Sequence, residues 1–233
     1  MVGSLAADVA GVVGMLSECV GVVLDLEDRD LRAAAKRLQN ARTKRALDSF
    51  GAAIGLAFIA PFLALIALLI IIDSRGPILF QQRRTGYNGV PFVIYKFRTM
   101  HVLEDGASVT PAIPQDSRST WLGRFLRRSS IDELPQLLNV LKGDMSLVGP
   151  RPHAIAHDEY YARTVPGYNL RFNAKPGMTG LAQVSGFRGG RAHTGMVDLV
   201  AHDVEYIRNW SLMLDVQILF RTLMIVPFDS AAY

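Results

Sequence analysis

Between Phe50 and Ile72 the chain runs for 23 residues without a charged side chain, and the hydrocarbon core of a bilayer asks for roughly 20 apolar residues of helix. The run predicts a membrane helix and obliges the rest of the fold to sit beside lipid. Pro61 lies near its middle, where the missing N–H and the bulk of the ring bend a helix. Basic residues flank both ends, Lys44 and Arg45 before it and Arg75, Arg83 and Arg84 after it. Because Lys and Arg mark the cytoplasmic side of a membrane segment, symmetric flanks favour a re-entrant helix that turns back at Pro61 with both ends on one side. A kinked helix that crosses the bilayer accommodates the same residues, and physics alone leaves both readings open.

With 233 residues the chain has room for one globular domain beside that anchor. Formal net charge is +4, with a local excess at Arg32, Lys36, Arg37, Arg42, Lys44 and Arg45, which meet no acid until Asp48. Such a cluster next to an apolar run favours anionic lipid headgroups. No nucleic-acid-binding motif or interleaving of aromatic with basic residues accompanies the charge, so nucleic acid is not an expected partner. Cys19 is the only cysteine, which excludes an intrachain disulfide and a cysteine-based zinc site and suits a reducing compartment. Nothing ahead of Arg29, the first basic residue, has the charged n-region of a cleavable leader. The segment from Val2 to Leu24, rich in Gly, Ala and Val but carrying Asp8 and Glu18, fits a loose apolar helix, an interfacial segment or a partner-binding arm.

Leu31 to Leu47 reads as one basic helix leading into the apolar run. After Asp73 the texture becomes that of a globular domain. Ile78 to Gln82 and Pro91 to Met100 are strand-like runs separated by a turn at Tyr87 to Gly89. His101 to Ser117 is a polar loop placed to cover a site, and Trp121 to Arg128 a basic helix. Leu134, Leu137, Leu138 and Leu141 recur at i, i+3, i+4 and i+7, predicting a helix with one buried face that stops at Gly143. From Tyr206 to Phe228 an apolar tail interrupted by Asp215 and Arg221 suits a helix in the headgroup zone with Trp210 at the interface, or a buried core helix.

The chemistry concentrates in Arg127, Arg128, Ser129, Ser130, Ile131, Asp132 and Glu133, where two adjacent carboxylates follow two arginines at a helix start. Guanidinium groups hold phosphate oxygens in forked contacts. A carboxylate beside them serves as a nucleophile or, with its neighbour, holds a divalent metal. Against this, Ser130 and Glu133 have capping-box spacing, and such residues commonly do no more than satisfy free amides of a first helical turn. Farther on, Val148, Gly149, Pro150, Arg151 and Pro152 make a stiff turn that presents one arginine at little entropic cost. Lys175, Pro176, Gly177, Met178, Thr179 and Gly180 make a second Gly/Pro turn with a cation. His153 and His157 have i, i+4 spacing but no zincin-like Glu between them, so a zinc site is not expected.

Four ordered blocks carry a family resemblance over Lys44 to Pro227. They are Tyr95-Lys96-Phe97-Arg98-Thr99-Met100; Ser130-Ile131-Asp132-Glu133-Leu134-Pro135-Gln136-Leu137; Asn139 to Asp144 running into Val148-Gly149-Pro150-Arg151-Pro152; and Lys175-Pro176-Gly177-Met178-Thr179-Gly180-Leu181-Ala182-Gln183-Val184. In these the chain resembles the bacterial sugar transferases that start glycoconjugate synthesis, the monotopic polyprenyl-phosphate phosphoglycosyl transferases.

The resemblance implies an α+β, mainly helical protein: a re-entrant helix-break-helix anchor at 44–74, broken at Pro61, and a cytosolic catalytic domain at 75–228 with short strands and interfacial amphipathic helices. Residues 1–43 form an extension with no recognised counterpart. It also implies transfer of a phosphosugar from a UDP-sugar to polyprenyl (undecaprenyl) phosphate with release of UMP, early in exopolysaccharide or O-antigen assembly. Asp132 would be the nucleophile and Glu133, with Asp132, would hold Mg²⁺. Arg128 and Arg151 would bind diphosphate and nucleotide oxygens, with Lys96, Arg98, Lys175 and Gln183 also among the substrate-binding residues. The expected setting is the inner face of a bacterial cytoplasmic membrane, in contact with its lipids, alone or as a homodimer. One departure concerns the anchor: Ala60 stands before Pro61 where the family often has Ser. Two other functions compete, a hydrolase of nucleotide-sugar diphosphates and a non-catalytic membrane scaffold for polymer assembly.

Overall fold

A computed structural model describes residues 29–101, 116–187 and 193–225. The polar loop expected to cover a site falls largely on 102–115, outside the described residues, as do Cys19 and the segment before it. The first element, α1, covers residues 29–40 and is followed by α2, Arg42–Asp73. The single basic helix expected from Leu31 to Leu47 is therefore two helices, parted at Ala41, whose backbone is extended. The break lets α1 fold back. It buries Leu31, Ala35 and Leu38 among Val148, Ala174, Tyr206, Ile207 and Ile218, while Arg32, Lys36 and Arg37 stay exposed. Apolar residues at helical spacing, not the basic ones, thus decide its orientation.

Helix α2 runs without interruption from Arg42 to Asp73, Pro61 included. The helix continues through Pro61, because proline removes a single N–H and bends a helix without having to end it. Most of α2 is uncovered: Phe50, Ile54, Phe58, Phe62, Leu65 and Ile72 are all exposed, Phe58 by 86%. An apolar face of that extent has no place in water. Both ends are nevertheless attached to the domain. Near the start, Ala52 packs with Ile94, Leu137, Val140 and Met145. Near the finish, Ile66 and Ile70 pack with Phe97, Leu122 and Leu126.

Strands β1 (Leu79–Thr85) and β2 (Pro91–Phe97) form an antiparallel hairpin in register from Leu79 opposite Phe97 to Thr85 opposite Pro91. Its turn, Tyr87–Gly89, holds Asn88 and Gly89 in left-handed conformations (φ 54° and 75°), the residue types that tolerate them best. Helix α3 (Trp121–Arg128) begins where Thr120 accepts the Gly123 N–H at 2.8 Å, an ordinary N-cap. It leaves Trp121 and Phe125 exposed.

The leucine periodicity after Ser130 resolves into two short pieces, a 3₁₀ segment Ile131–Gln136 and α4 (Leu137–Lys142). The tighter 3₁₀ winding shifts the phase between them. Leu137 and Val140 are consequently buried while Leu138 and Leu141 remain 40% and 36% exposed. Asn139 occupies the inward position instead, accepting from Tyr95 N and donating to Val93 O. These bonds fasten α4 along β2.

The rest of the domain is β3 (Ser146–Val148), α5 (Ile155–Thr164), a 3₁₀ segment Tyr168–Asn173, β4 (Gly177–Thr179), α6 (Leu181–Val184), α7 (His193–Asn209) and α8 (Leu212–Ile225). Strands β3 and β4 pair in parallel, Ser146 with Gly177 and Val148 with Thr179. A Cβ on Gly177 would collide with the Gly149 backbone, so the absence of a side chain brings the two Gly/Pro turns together. The apolar tail is divided at Trp210. Its acid Asp215 is fully buried, and Leu212, Met213, Val216, Phe220, Leu223 and Met224 make α8 a second exposed apolar face. The Trp210 indole donates to Asp215 at 3.1 Å, and its side chain is half-buried.

Candidate active site

Three elements converge on the carboxylate pair. The 3₁₀ segment Ile131–Gln136 carries Asp132 and Glu133 and packs on β2, which carries Lys96. The turn after β3 carries Arg151. Arg151 grips Glu133 with both terminal nitrogens, Nη1 to Oε2 at 2.9 Å and Nη2 to Oε1 at 2.5 Å, and Lys96 Nζ donates to Oε1 at 2.8 Å. A bidentate guanidinium contact fixes a carboxylate in direction as well as distance.

The capping-box alternative does not hold. Ser130 sits in the left-handed region (φ 56°) with no side-chain cap bond, and Glu133 turns away from the helix start toward its two cations. A left-handed non-glycine residue is uncommon and worth about 1 kcal/mol or more of strain. Here it redirects the chain from α3 into the 3₁₀ turn that carries the dyad.

The two carboxylates, adjacent in sequence, differ in every other respect. Glu133 accepts three hydrogen bonds, whereas among the described residues no hydrogen bond or ion pair engages the Asp132 carboxyl, which is 8% exposed. Burial pulls the Glu133 carboxyl upward, but Arg151 and Lys96 outweigh it and hold Glu133 well below the usual range. Burial, helped by the neighbouring Glu133 charge and opposed by Lys96, pushes Asp132 up to about 6. Environments that drive two adjacent acids apart divide their roles: one is a fixed anion, the other a free carboxylate within half a turn of it.

Other expected site residues are placed elsewhere. Arg98 is 3% exposed and spends its guanidinium on the end of α2, donating to Ser74 O at 2.6 Å and Arg75 O at 2.8 Å. Unpaired carbonyls at a helix C-terminus attract such a cation, so Arg98 secures the anchor and does not face the dyad. Lys175 precedes β4 with Arg45, Asp48 and Asp144 as its charged neighbours, and its carbonyl lies against Gly149. Arg128 is exposed at the end of α3. It is the preceding Arg127 whose charge reaches Asp132 and lowers its pKa. Gln183 is buried with its Oε1 lacking a hydrogen-bond partner. His153 is not on a helix with His157. Its Nδ1 lies 2.8 Å from the Tyr168 hydroxyl and 2.9 Å from Arg171 Nη1, and burial and the Arg171 charge keep it neutral, well below its usual pKa.

Arg84 was not foreseen. It donates to Pro152 O at 2.8 Å and to Gln82 at 2.8 Å, and burial with the nearby Arg151 charge lowers its pKa to about 10. Its signal in the sequence was an isolated basic pair, Arg83-Arg84, read as a membrane flank.

Among the described residues no cluster of three or more acidic, histidine or cysteine ligands exists. Two adjacent carboxylates are a sparse donor set for most metals, but Mg²⁺ habitually takes one or two carboxylates and completes its octahedron with water and substrate phosphate. The donor set could hold that ion, and Glu133 and Asp132 are the residues that would do so.

The sequence model of a family described as bacterial sugar transferase matches residues 39–229. Over 194 residues the chain is 55% identical to the UDP-glucose:undecaprenyl-phosphate glucose-1-phosphate transferase of Caulobacter vibrioides, covering 82% of this chain and 72% of that one. It is 46% identical over 220 residues to the Escherichia coli protein of the same name, covering 94% of this chain and 46% of the relative, so it spans about half of that longer protein. It is 46% identical over 184 residues to the exopolysaccharide production protein PSS of Rhizobium leguminosarum, covering 77% and 92%. The four motif blocks, the shielded carboxylate pair and these matches lead to one assignment: the chain belongs to the bacterial sugar transferase family.

Proposed function

We propose that the chain transfers a phosphosugar from a UDP-sugar to undecaprenyl phosphate in two displacements, with Asp132 as the nucleophile. The observation that carries this is the asymmetry of the dyad: among the described residues, Glu133 is held by three charge-assisted bonds and the adjacent Asp132 by none. In the first step an Asp132 oxygen forms a bond to the sugar-bearing phosphorus and the bond from that phosphorus to UMP breaks. In the second, a phosphate oxygen of undecaprenyl phosphate attacks the same phosphorus and the Asp132 carboxylate leaves. A covalent carrier lets a water-soluble donor and a lipid acceptor use one site in turn.

Within that scheme Arg151 and Lys96 set the direction of Glu133 and neutralise charge that builds on the phosphoryl oxygens. The dyad also provides the ligands for Mg²⁺, which supplies charge neutralisation at the diphosphate when bound. UDP-glucose is the first donor to test, because the Caulobacter and Escherichia relatives are named for it. An N-acetylgalactosamine transferase from Aeromonas hydrophila, 40% identical over 181 residues, makes UDP-N-acetylgalactosamine the second.

The purified protein in lipid nanodiscs should release UMP from one of these donors over many turnovers only when undecaprenyl phosphate is present, and no more than one equivalent per enzyme without it. Asp132→Asn should lower that turnover by at least about a thousandfold while still copurifying with membranes. Near-normal release by the variant would contradict the nucleophile assignment, and acceptor-independent release at full rate would identify a hydrolase.

A nucleophilic carboxylate must be ionised, so turnover should fall as pH drops through about 6, where Asp132 takes up its proton. Lys96 opposes protonation of Asp132, so Lys96→Met should move this acid limb to higher pH. A limb that stays in place, or moves down, would contradict the assignment.

The re-entrant anchor belongs to the same proposal. Lys44 near the start of α2 bonds Val148 O and Asp215, and the carbonyls at its end bond Arg98. A helix whose two ends are fastened to one domain is suited to dipping into a single leaflet from the cytoplasmic face. In a Cys19→Ser background, Thr43→Cys and Arg75→Cys should both resist a membrane-impermeant maleimide applied to cells with a permeabilised outer membrane. Labelling at one position alone would show that α2 crosses.

A further inference from the structure

The turn that presents Arg151 is held by its carbonyls, and the donors come from distant parts of the chain. Pro150 O accepts the Gly177 N–H at 2.9 Å. Arg151 O accepts Arg171 Nη2 at 2.6 Å, and Pro152 O accepts Arg84 Nη1 at 2.8 Å. At the root of the turn, Val148 O accepts Lys44 Nζ at 3.0 Å. Arg171 and Arg84 border the site, whereas Lys44 lies in the first turn of the membrane helix and is 7% exposed.

We propose, on the reading that Arg151 and Glu133 belong to the active site, that Lys44 and its partner Asp215 are positioning residues which set Arg151 by fixing the Val148 carbonyl.

The arrangement around Lys44 is specific to that task. Its ammonium lies 2.8 Å from Asp215 Oδ2 and 3.6 Å from Asp48 Oδ1. Asp215 is held in turn by Tyr206 Oη at 2.8 Å and Trp210 Nε1 at 3.1 Å. Asp48 accepts the Leu147 N–H at 2.9 Å and lies 3.0 Å from Ser146 Oγ. The Tyr206 hydroxyl lies 3.0 Å from Val148 O as well. Three elements, α2, α7 and α8, therefore meet on the three residues of β3, and the last of these opens directly into Gly149-Pro150-Arg151.

A buried ion pair contributes little net stability compared with an apolar replacement of similar shape, so folding alone is a weak reason for this pair. Geometry is a better one. Arg151 must meet Glu133 through two bonds at once, and a displacement of about 1 Å at such a contact costs up to a hundredfold in rate. Because α2 and α8 both carry exposed apolar faces, the pair also ties the lipid-seeking helices to the catalytic arginine.

The test compares Lys44→Met, Tyr206→Phe, the double variant Lys44→Met with Asp215→Asn, and Leu31→Ala as a destabilised control. Leu31 packs in the same apolar cluster but makes no polar contact with β3. In nanodiscs, kcat, KM for the UDP-sugar and Tm are measured for each. Lys44→Met should lower kcat about tenfold or more with KM changed less than about threefold, a split that Leu31→Ala should not show.

Removing both charges of the pair should restore Tm toward wild type while the kcat deficit persists. Tyr206→Phe should show the same kcat deficit at little-changed KM in smaller measure and, as a neutral change, still informs if a charge variant does not accumulate. The proposal is overturned if kcat and KM in Lys44→Met match those of Leu31→Ala, or if kcat returns with Tm in the double variant. Wild-type protein that transfers nothing would instead remove the transferase reading, a separate outcome.

Discussion

The forked contact between Arg151 and Glu133 is the constraint on which the rest of this structure depends. It joins the 3₁₀ turn after α3 to the turn after β3. Lys96 closes the arrangement from β2. The anion at the centre is thereby fixed in place, and its immediate neighbour Asp132 is left in a nearly dry setting with no hydrogen bond or ion pair among the described residues. Low local dielectric makes both halves of this more consequential: a satisfied charge is held hard, and an unsatisfied one is reactive.

Around that contact the fold is mostly a device for bringing short, irregular segments close. Neither sheet exceeds two strands, and the glycines at 149, 177 and 180 allow backbones to approach where side chains would keep them apart. Rigidity comes from buried polar groups that reach across the chain, Asn139 to β2, Arg98 to α2, and Arg171 to Asp203 and the Arg151 carbonyl. Exposed apolar faces on α2, α3 and α8 place lipid within reach of the same assembly. For a family that joins a soluble donor to a lipid acceptor, that is the surface the chemistry requires.

Much of this was legible in the sequence, and the parts that were not share a cause. Local pattern gave the hairpin, the extent of α3 at Trp121–Arg128 and the helical apolar run, because periodicity and turn residues act over a few positions. The motif around Asp132 and Glu133 was readable because adjacent acids behind arginines are chemically unusual. Arg98 was misplaced because a cation in a motif block looks the same whether it meets a phosphate or the carbonyls at the end of a helix. Asp215 read as a polar interruption of an apolar tail, since its partner Lys44 is near the other end of the chain. The leucine stripe misled at Leu138 and Leu141 because a 3₁₀ turn changed the phase between them and the dyad.

The central claim is that the Asp132 carboxyl carries the phosphosugar between donor and acceptor, and intact-protein mass spectrometry tests it most directly. Protein exposed to UDP-glucose in the absence of any polyprenyl phosphate, then quenched in acid and digested, should show one added hexose phosphate on the peptide containing Asp132. The adduct should vanish when undecaprenyl phosphate is supplied before the quench. Active enzyme that yields no adduct under these conditions, or one on a different residue, would contradict the account.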